Sequence, residues 1–124
     1  MNIIKDVTAF KRKLRCKKIG GRPERLPIRT RKQRIAHLQE ELTELKRAKT
    51  MEDELDGLVD LVYVAVGMAI ESGYPFECAW NEVHAANMRK ECRKTERHDH
   101  DAVKPSDWTP PNIHGCLYRH RRPE

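Results

Sequence analysis

The sequence predicts an all-α fold, a bundle of about four helices followed by an irregular, Pro-rich C-terminal tail. Apolar residues recur at helical spacing along much of the chain, and charged residues make up 35% of its 124 residues, as in helix-rich proteins with a large solvated surface. We expect one domain over residues 1–124: a basic helix and loop (1–29), a helical core (30–94) and a tail (95–124). Oligomerisation is expected to complete the core.

The first two helices are predicted from their apolar stripes. The first should lie within residues 1–15 and end before Gly20 and Gly21, with a loop continuing through Pro27. The second should run from an N-cap at Thr30 to about Lys49. Its stripe consists of Ile35, Leu38, Leu42 and Leu45.

The third helix is predicted from its two ends. Thr50 and Asp53 have the form of a capping box, so the helix should begin there. It should continue to about Ser72, where Gly73 fits a C-terminal cap. After Asp60 the segment is apolar nearly all round, which is typical of a helix at the centre of a bundle.

The fourth helix and the tail are predicted from proline positions. Pro75 suits the first turn of a helix, which we expect to end near Lys94. Beyond Thr95 the chain turns polar and Pro-rich, and we expect extended or irregular structure packed on the bundle.

Cysteine usage and hydropathy favour a cytoplasmic protein without a membrane segment. The apolar charge-free run Leu61–Ile70 is about half the length that crosses a bilayer, and the N-terminus lacks a signal-peptide layout. The cysteines are widely spread without a Cys-x-x-Cys pair, so we expect reduced thiols. They are Cys16, Cys78, Cys92 and Cys116.

The charge distribution is asymmetric. Residues 1–34 contain thirteen Lys/Arg against two acids, whereas residues 35–82 contain eleven acids against three Lys/Arg. A basic N-terminal segment suits nucleic acid, but an acidic centre beside basic segments equally suits a metal-bound polyphosphate. Composition alone leaves both interpretations open.

Two groups of carboxylates stand on the second and third helices. Glu41 and Glu44 are three residues apart, and Asp53, Asp56 and Asp60 follow at offsets of three and four, so each group shares a helix face. Like charges stacked in this way repel one another unless a cation lies between them, and Mg²⁺ takes oxygen ligands. The alternative is two solvated helix faces. Burial of unpaired acids beside the apolar third helix would be costly, which favours the metal site.

The fourth helix offers a complementary polar set. His84, Asn87, Lys90 and Glu91 lie close to one face, where an amide and an ammonium could bind sugar hydroxyls or phosphate oxygens. A polar outer stripe is the alternative. Lys104 in the tail is a weaker candidate phosphate ligand.

Four ordered motifs resemble those of a known enzyme family. They are EELTE at 40–44, DGLVDLVYV at 56–64, EVHAANMRK at 82–90 and VKP with WTPP between 103 and 111. Together they resemble the all-α nucleoside triphosphate pyrophosphohydrolases, the MazG-like and phosphoribosyl-ATP pyrophosphohydrolase-like group, in its bacterial and phage branch. The resemblance covers about residues 30–115.

The resemblance implies an all-α homodimer or homotetramer that cleaves a nucleotide between its α- and β-phosphates, with Mg²⁺ as cofactor and Mn²⁺ as its alternative. Glu41, Glu44 and Asp60 match metal-ligand positions, and Asp56 matches the acidic position one turn before Asp60. Asn87 and Lys90 match substrate-contacting positions, with Lys104 as a further candidate. The departure is Gly57, which stands where the wider family has a glutamate, so Asp56 or Asp53 must replace that ligand.

In this interpretation Glu40 or Glu44 orients or deprotonates the attacking water, and Lys90 with arginines of the basic segment neutralises the pyrophosphate. Two alternatives remain open at this point. In the first, the chain is a basic nucleic-acid-binding helical module. In the second, it is a catalytically silent helical dimer that binds a cation.

Overall fold

The structure, a computed structural model, describes residues 1–16 and 19–118 and is mostly helical, which confirms the predicted class at that level. The chain divides into two compact units, Met1–Phe76 and Glu77–Glu124. The elements are α1 (Ile3–Lys13), α2 (Ile28–Arg47), α3 (Met51–Glu71), α4 (Phe76–Met88), β1 (Glu91–Arg93), β2 (Asp101–Val103) and α5 (Ile113–Tyr118).

In the first unit, α3 packs against both α1 and α2. A small core of Val7, Val66 and Ile70 joins α1 to α3, and partly buried side chains surround it. Gly57 of α3 lies so close to α2 that a Cβ built there would be 3.4 Å from the Leu45 Cβ. The two helices that carry the carboxylate groups, α2 and α3, are therefore neighbours.

The ends of α3 agree with the sequence. The Thr50 hydroxyl accepts a hydrogen bond from the Asp53 N–H at 3.1 Å, which confirms the capping box. Ser72 is the C-cap, and Gly73 follows with φ +67°. A side chain at Gly73 would meet the Arg22 carbonyl oxygen at 2.8 Å, so both the backbone angle and the close approach require glycine.

The start of α2 differs from the sequence prediction. The helix begins at Ile28, and its N-cap is Pro27, which makes no side-chain capping bond. Thr30 is therefore inside the first turn and is not the cap. The reason is that Arg31 N–H donates to the Pro27 carbonyl at 2.9 Å, which closes the helix before Thr30 is reached.

In the second unit, α4 ends at Met88, six residues before the predicted end near Lys94. The chain forms an antiparallel hairpin instead, in which Cys92 pairs with Ala102. The turn is held by the Asp101 carboxylate, which accepts hydrogen bonds from Arg97 and from the Thr95 hydroxyl. The backbone of residues 91–93 thus pairs with residues 101–103 across the hairpin and does not continue the helix.

Residues 105–118, which we name the strap, fold back along α4 within the second unit. Cys78 is disulfide-bonded to Cys116, with 5.8 Å between their Cα atoms. The Asn112 N–H donates to the Glu82 carboxylate at 3.4 Å, and the Trp108 indole N–H donates to the Ala86 carbonyl at 2.7 Å. These three partners are four residues apart on α4 and four apart in the strap.

The strap corrects two expectations. The tail contains a short helix, α5, in place of wholly irregular structure, and two of the cysteines are bonded where four reduced thiols were expected. Within the described residues, Cys16 and Cys92 are free thiols. No helix in residues 1–16 and 19–118 is long and apolar enough to cross a membrane.

Candidate active site

A cleft of about 520 Å³ lies among α1, α2 and α3 in the first unit. Its polar side chains include two carboxylates, a histidine and two cations, and its other walls are largely apolar. We name it the interhelical cleft. It is lined by Phe10, Lys11, Leu14, Cys16, Arg34, His37, Glu41, Asp60, Tyr63 and Val64.

The cleft brings together one predicted metal ligand from each acidic helix, Glu41 of α2 and Asp60 of α3. The side chain of Glu41 is 14% exposed, and its Oε1 lies 3.2 Å from His37 Nε2, one turn earlier on α2. Its Oε2 is buried and has no hydrogen-bond partner, which is true of no other buried side-chain oxygen or nitrogen in the described residues. Such an atom is costly to leave unpaired.

The other predicted carboxylates lie elsewhere on the same helices. Glu40 and Glu44 are exposed and line a shallow depression of α2 together with Arg47. Asp56 is exposed on α3, one turn before Asp60. Across residues 1–16 and 19–118, no three His, Cys, Asp or Glu side chains are grouped so that they could hold a metal ion. The full metal-ligand set remains a prediction.

Gly57 has a packing role that explains the departure noted in the sequence. It is buried, and a Cβ there would contact both the Leu45 Cβ and its Cδ1 at 3.4 Å. A glutamate at this position would have to extend from a surface already covered by α2. A Cβ alone would be accommodated there at van der Waals contact, whereas the longer side chain of a glutamate would meet the α2 surface around Leu45.

A second charged cluster joins all three helices. The Glu71 carboxylate at the end of α3 is buried and pairs with Lys11 of α1, whose Nζ lies 2.5 Å from Glu71 Oε1. Arg34 of α2 binds the same carboxylate through its Nε, at 3.1 Å and 3.0 Å from the two oxygens. Lys11 and Arg34 also line the interhelical cleft.

Burial by itself raises the pKa of Glu71, but hydrogen bonds from Arg34 and Lys11 and the charges of both cations outweigh it. The pKa is lowered from its ordinary value of 4.5, so the carboxyl is ionised at neutral pH. The sequence did contain a signal for this cluster. Glu71 is a lone charge after the apolar part of the third helix, where a buried acid must have a partner.

In the second unit the structure brings together two of the three predicted substrate-binding residues. Lys90 Nζ lies 5.8 Å from the centroid of the Trp108 ring, and Lys104 Nζ lies 4.7 Å from it. Both distances are within the range of cation–π attraction. Asn87 is exposed on α4 one residue after Ala86, the residue that accepts the indole hydrogen bond. The sequence assigned no role to Trp108.

Comparison with known proteins supplies the family. The model of the family described as phosphoribosyl-ATP pyrophosphohydrolase matches residues 7–87, more than half of the chain. The matched range includes both acidic helices and ends at Asn87, so Lys90 and Lys104 lie beyond it. A search of curated proteins found no match.

Proposed function

The chain belongs to the phosphoribosyl-ATP pyrophosphohydrolase family, and from that premise we propose that it is a Mg²⁺-dependent nucleoside triphosphate pyrophosphohydrolase. Its substrate is a nucleotide or deoxynucleotide. The reaction breaks the bond between the α-phosphorus and the bridging oxygen and releases a monophosphate and pyrophosphate. Mn²⁺ is the expected substitute metal.

The observation that carries the proposal is the unpaired Oε2 of Glu41, a residue that lines the interhelical cleft together with Asp60. A hard divalent cation takes carboxylate oxygens as ligands and would satisfy this buried atom. The donor chemistry of the cleft therefore fits Mg²⁺. We propose Glu41 and Asp60 as ligands, with Glu44 and Asp56 from the adjacent turns completing the set.

When bound, the metal would supply electrostatic polarisation of the phosphates. The chain's own residues would perform the remaining tasks. Glu40 or Glu44, whichever carboxylate is not committed to the metal, would hold the attacking water and accept its proton. The water oxygen then bonds to the α-phosphorus, while the bridging oxygen leaves with the pyrophosphate.

Substrate contacts are proposed for the second unit as well. Lys90 and Lys104, drawn to the same Trp108 ring, present two ammonium groups that suit phosphate oxygens. Asn87 offers an amide for a sugar hydroxyl or a phosphate oxygen.

A screen of nucleotides for pyrophosphate release with Mg²⁺ or Mn²⁺, read by chromatography of the products, tests the activity. Glu41→Gln and Asp60→Asn should each abolish release, because each removes a charged oxygen ligand and keeps the size of the side chain. Glu54→Gln is the matched control, since it neutralises an exposed acid of α3 outside the cleft. Circular dichroism should show every variant folded.

Full activity in either cleft variant would overturn the assignment. Two alternatives predict other outcomes. A nucleic-acid-binding module would bind DNA or RNA with a steep salt dependence and release no pyrophosphate. A catalytically silent dimer would be stabilised thermally by Mg²⁺, as the enzyme would be, but would turn over no nucleotide.

We also propose that the active form is a homodimer or homotetramer. A cytoplasmic location stays our proposal, although the Cys78–Cys116 disulfide removes the argument from reduced thiols. Four apolar side chains of α3 share one helix face. In the single chain their exposed fractions lie between 47% and 65%. A second copy of the chain would cover this apolar stripe. The stripe consists of Leu55, Leu58, Val59 and Val62.

A further inference from the structure

Glu71 is 5% exposed, and no other charged residue in the described part of the chain is buried. Its two partners, Lys11 and Arg34, carry one positive charge more than it neutralises. A buried carboxylate held by two cations is costly to assemble, and nothing in the proposed proton transfer uses it. The cluster of Lys11, Arg34 and Glu71 therefore has a net charge of +1.

The surplus charge faces a defined space. The side chains of Lys11 and Arg34 are 15% and 30% exposed, and both line the interhelical cleft that contains Glu41 and Asp60. Both Glu71 oxygens accept hydrogen bonds from Arg34 Nε, and Arg34 Nη2 lies 3.0 Å from Glu71 Oε2. A guanidinium has five N–H donors, so others remain for a second oxyanion.

The two kinds of charge are separated along the cleft. Arg34 and Glu41 are seven residues apart on α2, which is about 10 Å of helix at 1.5 Å per residue. One end of the cleft is thus cationic and the other carries carboxylates. Such a division suits a polyphosphate that meets a metal at one end and bare protein cations at the other.

We propose that Lys11 and Arg34 form the phosphate-binding end of the interhelical cleft and that Glu71 is the positioning residue that holds them there. This inference rests on the proposed function and extends it to recognition of the terminal phosphates of the substrate. Cations fixed in advance by a buried carboxylate lose little conformational entropy when the ligand binds.

Gly67 provides a way to move Lys11 without changing any charge. A Cβ built at Gly67 would lie 2.9 Å from the Lys11 Cε, closer than real atoms approach, and 3.7 Å from Val7. Gly67→Ala should therefore displace the flexible end of the lysine and leave the helix backbone in place.

The experiment measures binding of inorganic tripolyphosphate to the full chain by calorimetry, with MgCl₂ present. Lys11→Met and Arg34→Met should each raise Kd by about tenfold or more, the loss expected for one charged hydrogen bond. Gly67→Ala should raise Kd in the same direction with all charges kept. Lys13→Met on α1 and Lys32→Met on α2 are matched controls at exposed positions and should leave Kd unchanged.

The Glu71→Gln variant distinguishes a positioning role of Glu71 from a purely structural one. If Glu71 positions the cations, the folded variant should bind tripolyphosphate more weakly and show a raised KM for the nucleotide that wild type hydrolyses best, with kcat changed less. A purely structural role predicts a lower melting temperature with the wild-type Kd and KM. That second pattern would overturn the positioning role.

The outcomes distinguish this inference from the proposed function. Wild-type Kd in Lys11→Met and Gly67→Ala, with pyrophosphate release intact, would overturn the inference alone. Conversely, absence of any nucleotide hydrolysis by wild type would remove the proposed function, yet a Kd dependent on Lys11 and Arg34 would still establish the polyphosphate site.

Discussion

Glu71 illustrates how much a single side chain contributes to the first unit. Its carboxylate joins α1 and α2 to the end of α3 through Lys11 and Arg34. The partners are sixty and thirty-seven residues away in the chain. Local spacing carries no information about contacts at such separations. This is why sequence patterns predicted Glu41 and Asp60 as site residues but not Glu71.

The lowered pKa of Glu71 predicts how stability depends on pH. Because the pKa in the folded protein lies below the ordinary value of 4.5, the ion pairs stabilise the fold fully above that pH. Their contribution is lost as the pH falls through the folded-state pKa. We expect the free energy of unfolding, measured by urea titration, to decrease below pH 4.5 partly for this reason.

Glu71→Gln isolates the contribution of this carboxylate. At pH 7 the variant should lose about 3 kcal/mol, the typical cost of breaking a buried pair by removing one charge. As the pH falls through the folded-state pKa of Glu71, which lies below 4.5, the stability of the variant should approach that of wild type, since wild type then loses the charge as well. Glu54→Gln, at an exposed position, should follow wild type throughout. An unchanged difference across the whole pH range would contradict the prediction.

At the scale of elements, the four longer helices could be predicted from apolar periodicity and capping residues. The hairpin and α5 could not. The apolar stripes and the Thr50–Asp53 box predict α1 to α3, and Pro75 predicts the start of α4. The hairpin and α5 have three-residue strands and six residues of helix, too short to be stable alone. They depend on long-range partners, among them Cys78 with Cys116, which no local pattern reveals.

The disulfide between α4 and α5 gives a prediction at this scale. It closes a loop with a sequence separation of 38, which in the chain-entropy account is worth about 3–4 kcal/mol. In the Cys78→Ser/Cys116→Ser double variant, amide protons of α5 should exchange faster, while those of α1 to α3 keep their protection. Cys92→Ser is the control, because that thiol is free. Equal protection of α5 in both proteins would show that the bond is dispensable.

The whole molecule has a small core and a large exposed apolar stripe on α3. If a second copy covers this stripe, placing a charge in it should dissociate the oligomer. We expect Val59→Lys to reduce the mass measured by light scattering after gel filtration to that of one chain. Gln33→Lys adds the same charge at an exposed position of α2 and should keep the wild-type mass. A wild-type mass in Val59→Lys would place the interface elsewhere.

The contacts of the strap have a consequence for chain length. Cys78, Glu82 and Ala86 meet Cys116, Asn112 and Trp108 in an antiparallel register of fours. One residue inserted between Trp108 and Asn112 would shift Asn112 and Cys116 relative to Trp108, so the three contacts could not all form. The hairpin turn at 94–100 precedes all three contacts, so an insertion there leaves their spacing unchanged. We therefore expect insertions and deletions among related chains to accumulate in that turn and to spare the segment from 108 to 116.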